Sequence, residues 1–153
     1  MLATRLMADR LILDEFVPFL LSVTSNRVSS RIATAYEALF GLSIPEWRLI
    51  TVIAEGQATT QAEIGERTRM DKVTVSRAAI ALTQRGLLER SPNSQDRRSH
   101  HLMLSAAGRT LYGEVVPKAK ELEAHIFSRF ADDEIAQFTT MLRRIDAAAE
   151  AGE

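Results

Sequence analysis

Between Gln61 and Ser105 the chain reads QAEIGERTRMDKVTVSRAAIALTQRGLLERSPNSQDRRSHHLMLS, and no other stretch narrows its fold as much. Thr60 and Glu63 frame a capping box ahead of a short helix reaching about Arg67, because a hydroxyl and a carboxylate at this spacing satisfy each other's first-turn amides. Asp71 is placed to cap a second helix from Lys72 to Arg85, which Gly86 ends. Two short strands are expected next, Leu87 to Arg90 and Ser99 to Leu104, joined by the turn chemistry of Ser-Pro-Asn-Ser-Gln-Asp. Helix, turn, helix and hairpin in that order make a winged helix-turn-helix. Such a unit offers duplex DNA two probes: a helix sized for the major groove and an arginine-bearing loop for the minor groove.

Long helices are expected on both sides of this unit. From Pro18 to Phe40 the residues Leu21, Val28, Ile32, Ala35 and Leu39 recur at a spacing close to 3.5, with Pro18 in the first turn and Gly41 at the end. A second stripe of Leu20, Val23 and Tyr36 widens the apolar face toward another chain. Residues 1 to 17 fit an arm or a short preceding helix equally well. Ser43-Ile44-Pro45-Glu46 starts the next helix, where Trp47, Leu49, Ile50 and Ile53 form the buried side and Gly56 closes it. Ser105 caps a helix from about Ala106 to Phe130, bearing Leu111, Val115, Leu122 and Ile126, with Pro117 expected to bend it. Asp132-Asp133-Glu134 opens the last helix, whose Ile135, Phe138, Leu142, Ile145 and Ala149 alternate spacings of three and four, a coiled-coil-like seam.

The expected fold is therefore mainly α with a small β wing. A DNA-binding lobe over 42–105 lies between dimerisation helices over 10–40 and 106–150 of one chain, 1–153. The terminal helices carry more apolar face than one small domain needs, and pairing with a second copy uses it most economically. Intramolecular packing of the three helices is the competing arrangement.

Charge is distributed unevenly. Arg67 to Arg98 contains eight Lys/Arg against three acids, a local net of +5 in a chain of net −1. A basic block in an otherwise acidic chain fits a local polyanion site, with the remainder kept off the phosphates. A merely solvated charged surface is the plainer reading. On a helix advancing about 100° per residue, Val75, Ala78, Ala79 and Leu82 share the inner face of Lys72 to Arg85. Val73, Arg77 and Gln84 occupy the opposite arc, with Thr74, Ser76 and Ala81 at its margins, and Ile80 also faces outward. Arg77 suits guanine O6 and N7, Val73 and Thr74 a thymine methyl, and Ser76 a phosphate. Arg97 and Arg98 at the hairpin tip suit the narrow minor groove of A/T-rich DNA. Asp96 is expected to pair with a nearby arginine and orient the wing. Lys72, Arg85, Arg90 and the amide end of the Gln61 helix are candidate backbone contacts.

Four segments together resemble the MarR family of bacterial winged-helix transcription regulators. They are Leu42-Ser43-Ile44-Pro45-Glu46-Trp47, Asp71 to Arg77, Arg85-Gly86-Leu87-Leu88-Glu89-Arg90, and Asp96-Arg97-Arg98 running on to Leu104-Ser105-Ala106-Ala107-Gly108. The resemblance runs in register from about Leu20 to Leu142, and the longer N-terminal arm departs from it. It implies a triangular homodimer that binds a pseudo-palindromic double-stranded DNA operator and represses nearby genes. By position, Thr74, Ser76 and Arg77 would read the major groove, and Arg98, with Arg97, the minor groove. It further implies a small-molecule effector, often an aromatic acid or phenolic, between the dimer region and the DNA-binding lobe. The matching segments hold Arg31, Tyr36, Phe40, Trp47 and Tyr112, which suit an aromatic carboxylate or, more plainly, a core.

Other functions find little support. The chain has no cysteine, so thiol redox sensing, disulfides and thiolate metal sites are excluded. His100 and His101 are adjacent on an expected strand and point to opposite faces, and His125 stands alone on a helix, so no metal or other cofactor is expected. No phosphate loop, nucleophile elbow or His-Glu-x-x-His pattern argues for an enzyme. No apolar run is long enough to span a membrane, and acidic residues within the first helix-like stretch argue against a signal peptide, so a cytoplasmic location is expected. A winged helix used as a protein-interaction module, or a ligand-independent DNA-binding protein, is the alternative.

Overall fold

The computed structural model describes residues 10–56 and 59–152. Of the N-terminal arm expected over 1–17, residues 1–9 lie outside the described residues. The rest of it makes a 3-10 turn at Leu13–Glu15 and the start of helix α1, Val17–Ala33, with Pro18 in its first turn. The described chain continues through α2 (Glu37–Phe40), α3 (Ile44–Glu55), α4 (Gln61–Thr68) and α5 (Lys72–Gln84). An antiparallel hairpin of β1 (Leu88–Pro92) and β2 (His100–Leu104) follows, then α6 (Ala106–Phe127) and α7 (Asp132–Glu150).

The expected helix from Pro18 to Phe40 is two helices. It breaks at Thr34 to Tyr36, where the Ala35 and Tyr36 amides donate to Ile32 and Ala33 carbonyls at 3.0 Å each. Neither glycine nor proline marks the break. Its cause is tertiary: the turn buries Ala33, Ala35 and Tyr36 in the core. Because the break resets the helical phase, Leu39 is carried outward to 61% exposure, and Tyr36 belongs to the core rather than to an outer stripe. Leu20 and Val23 remain exposed on α1.

The caps read from the sequence hold. Ser43–Glu46 and Thr60–Glu63 both form complete capping boxes. The Thr59 hydroxyl and then the Thr60 amide donate to the Glu63 carboxylate and lower its pKa. The Asp71 carboxylate accepts from the Thr74 amide at 2.8 Å, fixing the first turn of α5. The strands lie slightly later than expected, with Leu88 paired to Leu104 and Pro92 to His100. Thr59 adds a short third edge through reciprocal bonds with Leu102, a bridge with no local signature in the sequence.

Three small residues make the wing possible. Gly86 turns the chain from α5 into the hairpin at φ 72°, a left-handed conformation costly for other residues. Ser105 then clamps the hairpin base: its hydroxyl donates to the Gly86 carbonyl at 2.6 Å and accepts the Gly108 amide at 3.0 Å. This brings α6 so close that a Cβ on Gly108 would stand 2.2 Å from the Leu87 carbonyl oxygen. The Leu-Ser-x-x-Gly pattern is thus a packing requirement.

The core lies where α3 meets α4, α5, α6 and β2. Leu49, Ile50, Ile64, Leu82, Leu102 and Val115 are fully buried there. Each such side chain contributes about 1.5–3 kcal/mol relative to exposure. By contrast α7 leaves Phe138, Met141, Leu142 and Ile145 exposed on the single chain. No helix among the described residues is long and apolar enough to cross a membrane.

Candidate nucleic-acid interface

Helix α5 is amphipathic in the sense its sequence required. Val75, Ala78, Ala79 and Leu82 are buried against the core. Val73, Arg77, Ile80 and Gln84 are exposed, with Thr74 and Ser76 half-buried at the margin. The Thr74 hydroxyl donates to the second Asp71 oxygen at 2.8 Å, so this side chain both stiffens the cap and turns toward the exposed arc. Those two bonds, the backbone one foremost, lower the Asp71 pKa. A stiff cap matters because base readout depends on the placement of the helix N-terminal residues.

The wing carries Arg97 and Arg98 exposed at its turn, with Arg90 exposed on β1 and Lys72 at the start of α5. Asp96 orients the wing by a different route from the one expected. Its carboxylate accepts the Arg98 backbone amide at 2.9 Å, an Asx turn, rather than pairing with a guanidinium. Asn93 braces the opposite side by donating to the Ser99 hydroxyl at 2.9 Å. Arg85 departs from its expected role as a phosphate contact. Its guanidinium donates to the Phe40 and Gly41 carbonyls and lies 4.0 Å from Glu46, tying α5 to the end of α2.

The expected ligand-pocket residues separate into distinct settings. Tyr36, Trp47 and Tyr112 form a continuous stack, with ring centroids 5.3 Å apart for the first pair and 5.8 Å for the second. Burial, foremost, raises the Tyr36 pKa. A cavity of about 510 Å³ lies between α1 and the α3–α4 pair, and Tyr36 and Trp47 line it. Its arginines are Arg48 and Arg67, the latter bonded to Glu55, and not Arg31, which is exposed on α1. Phe40 sits beneath the Lys118 ammonium, 5.9 Å from its ring centre, and Tyr112 borders a separate hollow near Arg109. Arg48 lies one position beyond Trp47 on α3, so its place at the cavity follows only once the break after α1 is known.

A helix pair with an exposed, basic second helix, followed by an arginine-tipped hairpin, defines a winged helix-turn-helix DNA-binding protein. Comparison with known proteins narrows the class. The MarR family's sequence profile matches residues 40–99. The HTH-type transcriptional regulator PecS of Dickeya dadantii is 28% identical over 135 residues, spanning 84% of this chain and 81% of PecS. Among solved structures, a MarR/EmrR family transcriptional regulator from Acinetobacter sp. ADP1 superposes with a TM-score of 0.83 at 24% identity, covering 92% of this chain and 99% of that one. BpsR of Bordetella bronchiseptica, whose DNA binding is regulated by 6-hydroxynicotinic acid, gives 0.81 at 23% identity over 90% and 97% of the two chains. These matches all point to the MarR family of winged-helix transcriptional regulators.

Proposed function

We propose that this regulator is a homodimeric, cytoplasmic repressor that grips a pseudo-palindromic operator and lets go when a small aromatic or phenolic acid binds. The observation that carries the DNA contacts is the shared exposure of Val73 and Arg77 on α5 and of Arg97 and Arg98 on the wing. Arg77 reads base edges, with Thr74 and Val73 beside it. Ser76, Lys72 and Arg90 hold phosphates, and the wing arginines enter the minor groove. The exposed apolar seam of α7, with Leu20 and Val23 on α1, supports a dimer. The cavity beneath α1 supports an effector site, where stacked Tyr36 and Trp47 offer an aromatic surface and Arg48 and Arg67 a carboxylate partner.

Operator fragments recovered from the source genome provide the test. Binding should weaken steeply with salt, as several neutralised phosphates require. Arg77→Ala should cost about 1–3 kcal/mol on the specific site and far less on random duplex, whereas Arg90→Ala should weaken both alike. Equal losses for Arg77→Ala on every sequence would remove it from base readout. Failure to bind any duplex at low salt would leave the protein-interaction reading.

A further inference from the structure

A second hollow lies on the DNA-facing side, between the wing and the start of α4. It has a volume of about 470 Å³ and is lined by Gln61 and Ala62 of α4, Arg90 of β1, Asp96 and Arg98 of the wing turn, and His100 of β2. Its walls are braced. Asn93 and Ser99 are joined by side-chain and backbone bonds across the hairpin neck, and the Asp96 carboxylate is engaged by the Arg98 amide. Gln61 and Ala62 occupy the first turn of α4, where backbone amides have no acceptor within their own helix and the dipole favours an anion. Two guanidinium-bearing residues, a helix N-terminus and an imidazole thus surround one concavity.

We propose that this hollow seats a single backbone phosphate of the operator, and that His100 makes the contact titratable, so that protonation at His100 tightens DNA binding. The proposal rests on the DNA-binding reading above and adds a pH-dependent member to it. Histidine is the side chain whose ordinary pKa, about 6.5, lies within the range cells experience. A phosphodiester stays anionic across that range, so its arrival favours the imidazolium. DNA binding then takes up a proton, and linkage requires affinity to rise as pH falls. The charged residues lining the hollow with His100 are Arg90, Arg98 and Asp96; α4 contributes only Gln61 and Ala62 there. Glu63, on the same helix, is held by the Thr59 hydroxyl and the Thr60 amide, and His101 alternates to the other strand face. His100 is therefore the histidine placed to answer a phosphate, and His101 is the internal control.

The experiment measures operator affinity for the full-length protein between pH 5.5 and 8.0 at constant ionic strength, by fluorescence anisotropy. Affinity should rise up to about tenfold per half-site as pH falls across this interval. The slope of log affinity against log salt should also steepen at the acidic end by about one per half-site. His100→Gln should flatten the pH response. His100→Arg should bind tightly at every pH, and His101→Gln should keep the parental response. Unchanged pH dependence in His100→Gln, with folding verified by thermal melting, overturns the proposal while leaving the DNA-binding reading intact. Absence of binding to any duplex at any pH overturns that reading instead.

Discussion

Single atoms decide how close the wing sits to the rest of the molecule. At Gly108 a methyl group would collide with the Leu87 carbonyl oxygen, and that carbonyl already accepts the Ser105 amide. Gly108→Ala should therefore destabilise by about 1–3 kcal/mol, the usual range for overpacking against a surface that cannot retreat. Gly113, on the same helix, has nothing within 4 Å of a built Cβ, so Gly113→Ala should stabilise by about 0.4–1 kcal/mol. Urea denaturation of the pair checks both signs at once; equal effects would refute the close-approach argument. A second residue under constraint is Arg69, the one non-glycine with positive φ among the described residues, at 57°. It ends α4 in the left-handed conformation and donates to Asp146 of α7 at 2.6 Å. The pair is exposed and is worth at most about 1 kcal/mol. In an Asp146→Ala background, where that contact is gone, Arg69→Gly should raise stability by about 1 kcal/mol through relief of the backbone. A loss in thermal melting would show that the arginine serves some other partner.

At the scale of elements, what could be read in advance depended on how local its cause was. The boxes at Ser43 and Thr60, the Asp71 and Ser105 caps and the inner face of α5 all arise within a few residues. Each was therefore legible from neighbours in the chain. The break after Ala33 was not, because Thr34, Ala35 and Tyr36 are acceptable helix residues and only the burial of Tyr36 against Trp47 selects the turn. Arg31 was drawn from the family-like segments alone, and the cavity is lined instead by Arg48 and Arg67. The Thr59–Leu102 bridge and the Arg69–Asp146 contact join residues far apart in sequence and had no local signature. For the candidate DNA contacts the situation was more favourable. The hairpin tip and the outer arc of α5 are set by turn residues and helical period, and the side chains are exposed as that period requires. The roles of Asp96 and Arg85 escaped because charge alone does not distinguish a side chain binding backbone from one awaiting a phosphate.

For the whole molecule, the long seam on α7 is the feature with the widest reach. On the homodimer reading, replacing both Phe138 and Leu142 by Glu should give a folded monomer by light scattering. Operator affinity should then fall toward that of a single half-site, since the two binding events would no longer be linked. A variant that stays dimeric would place the interface elsewhere. The cavity beneath α1 is bounded by the α3–α4 pair, and its wall contains Trp47, the only tryptophan in the sequence. Titration with an aromatic acid that enters should therefore quench or shift the intrinsic fluorescence, while a compound acting at the wing should leave it untouched. The stacked indole makes the protein its own optical probe, reporting occupancy without a label and without any nucleic acid in the cuvette.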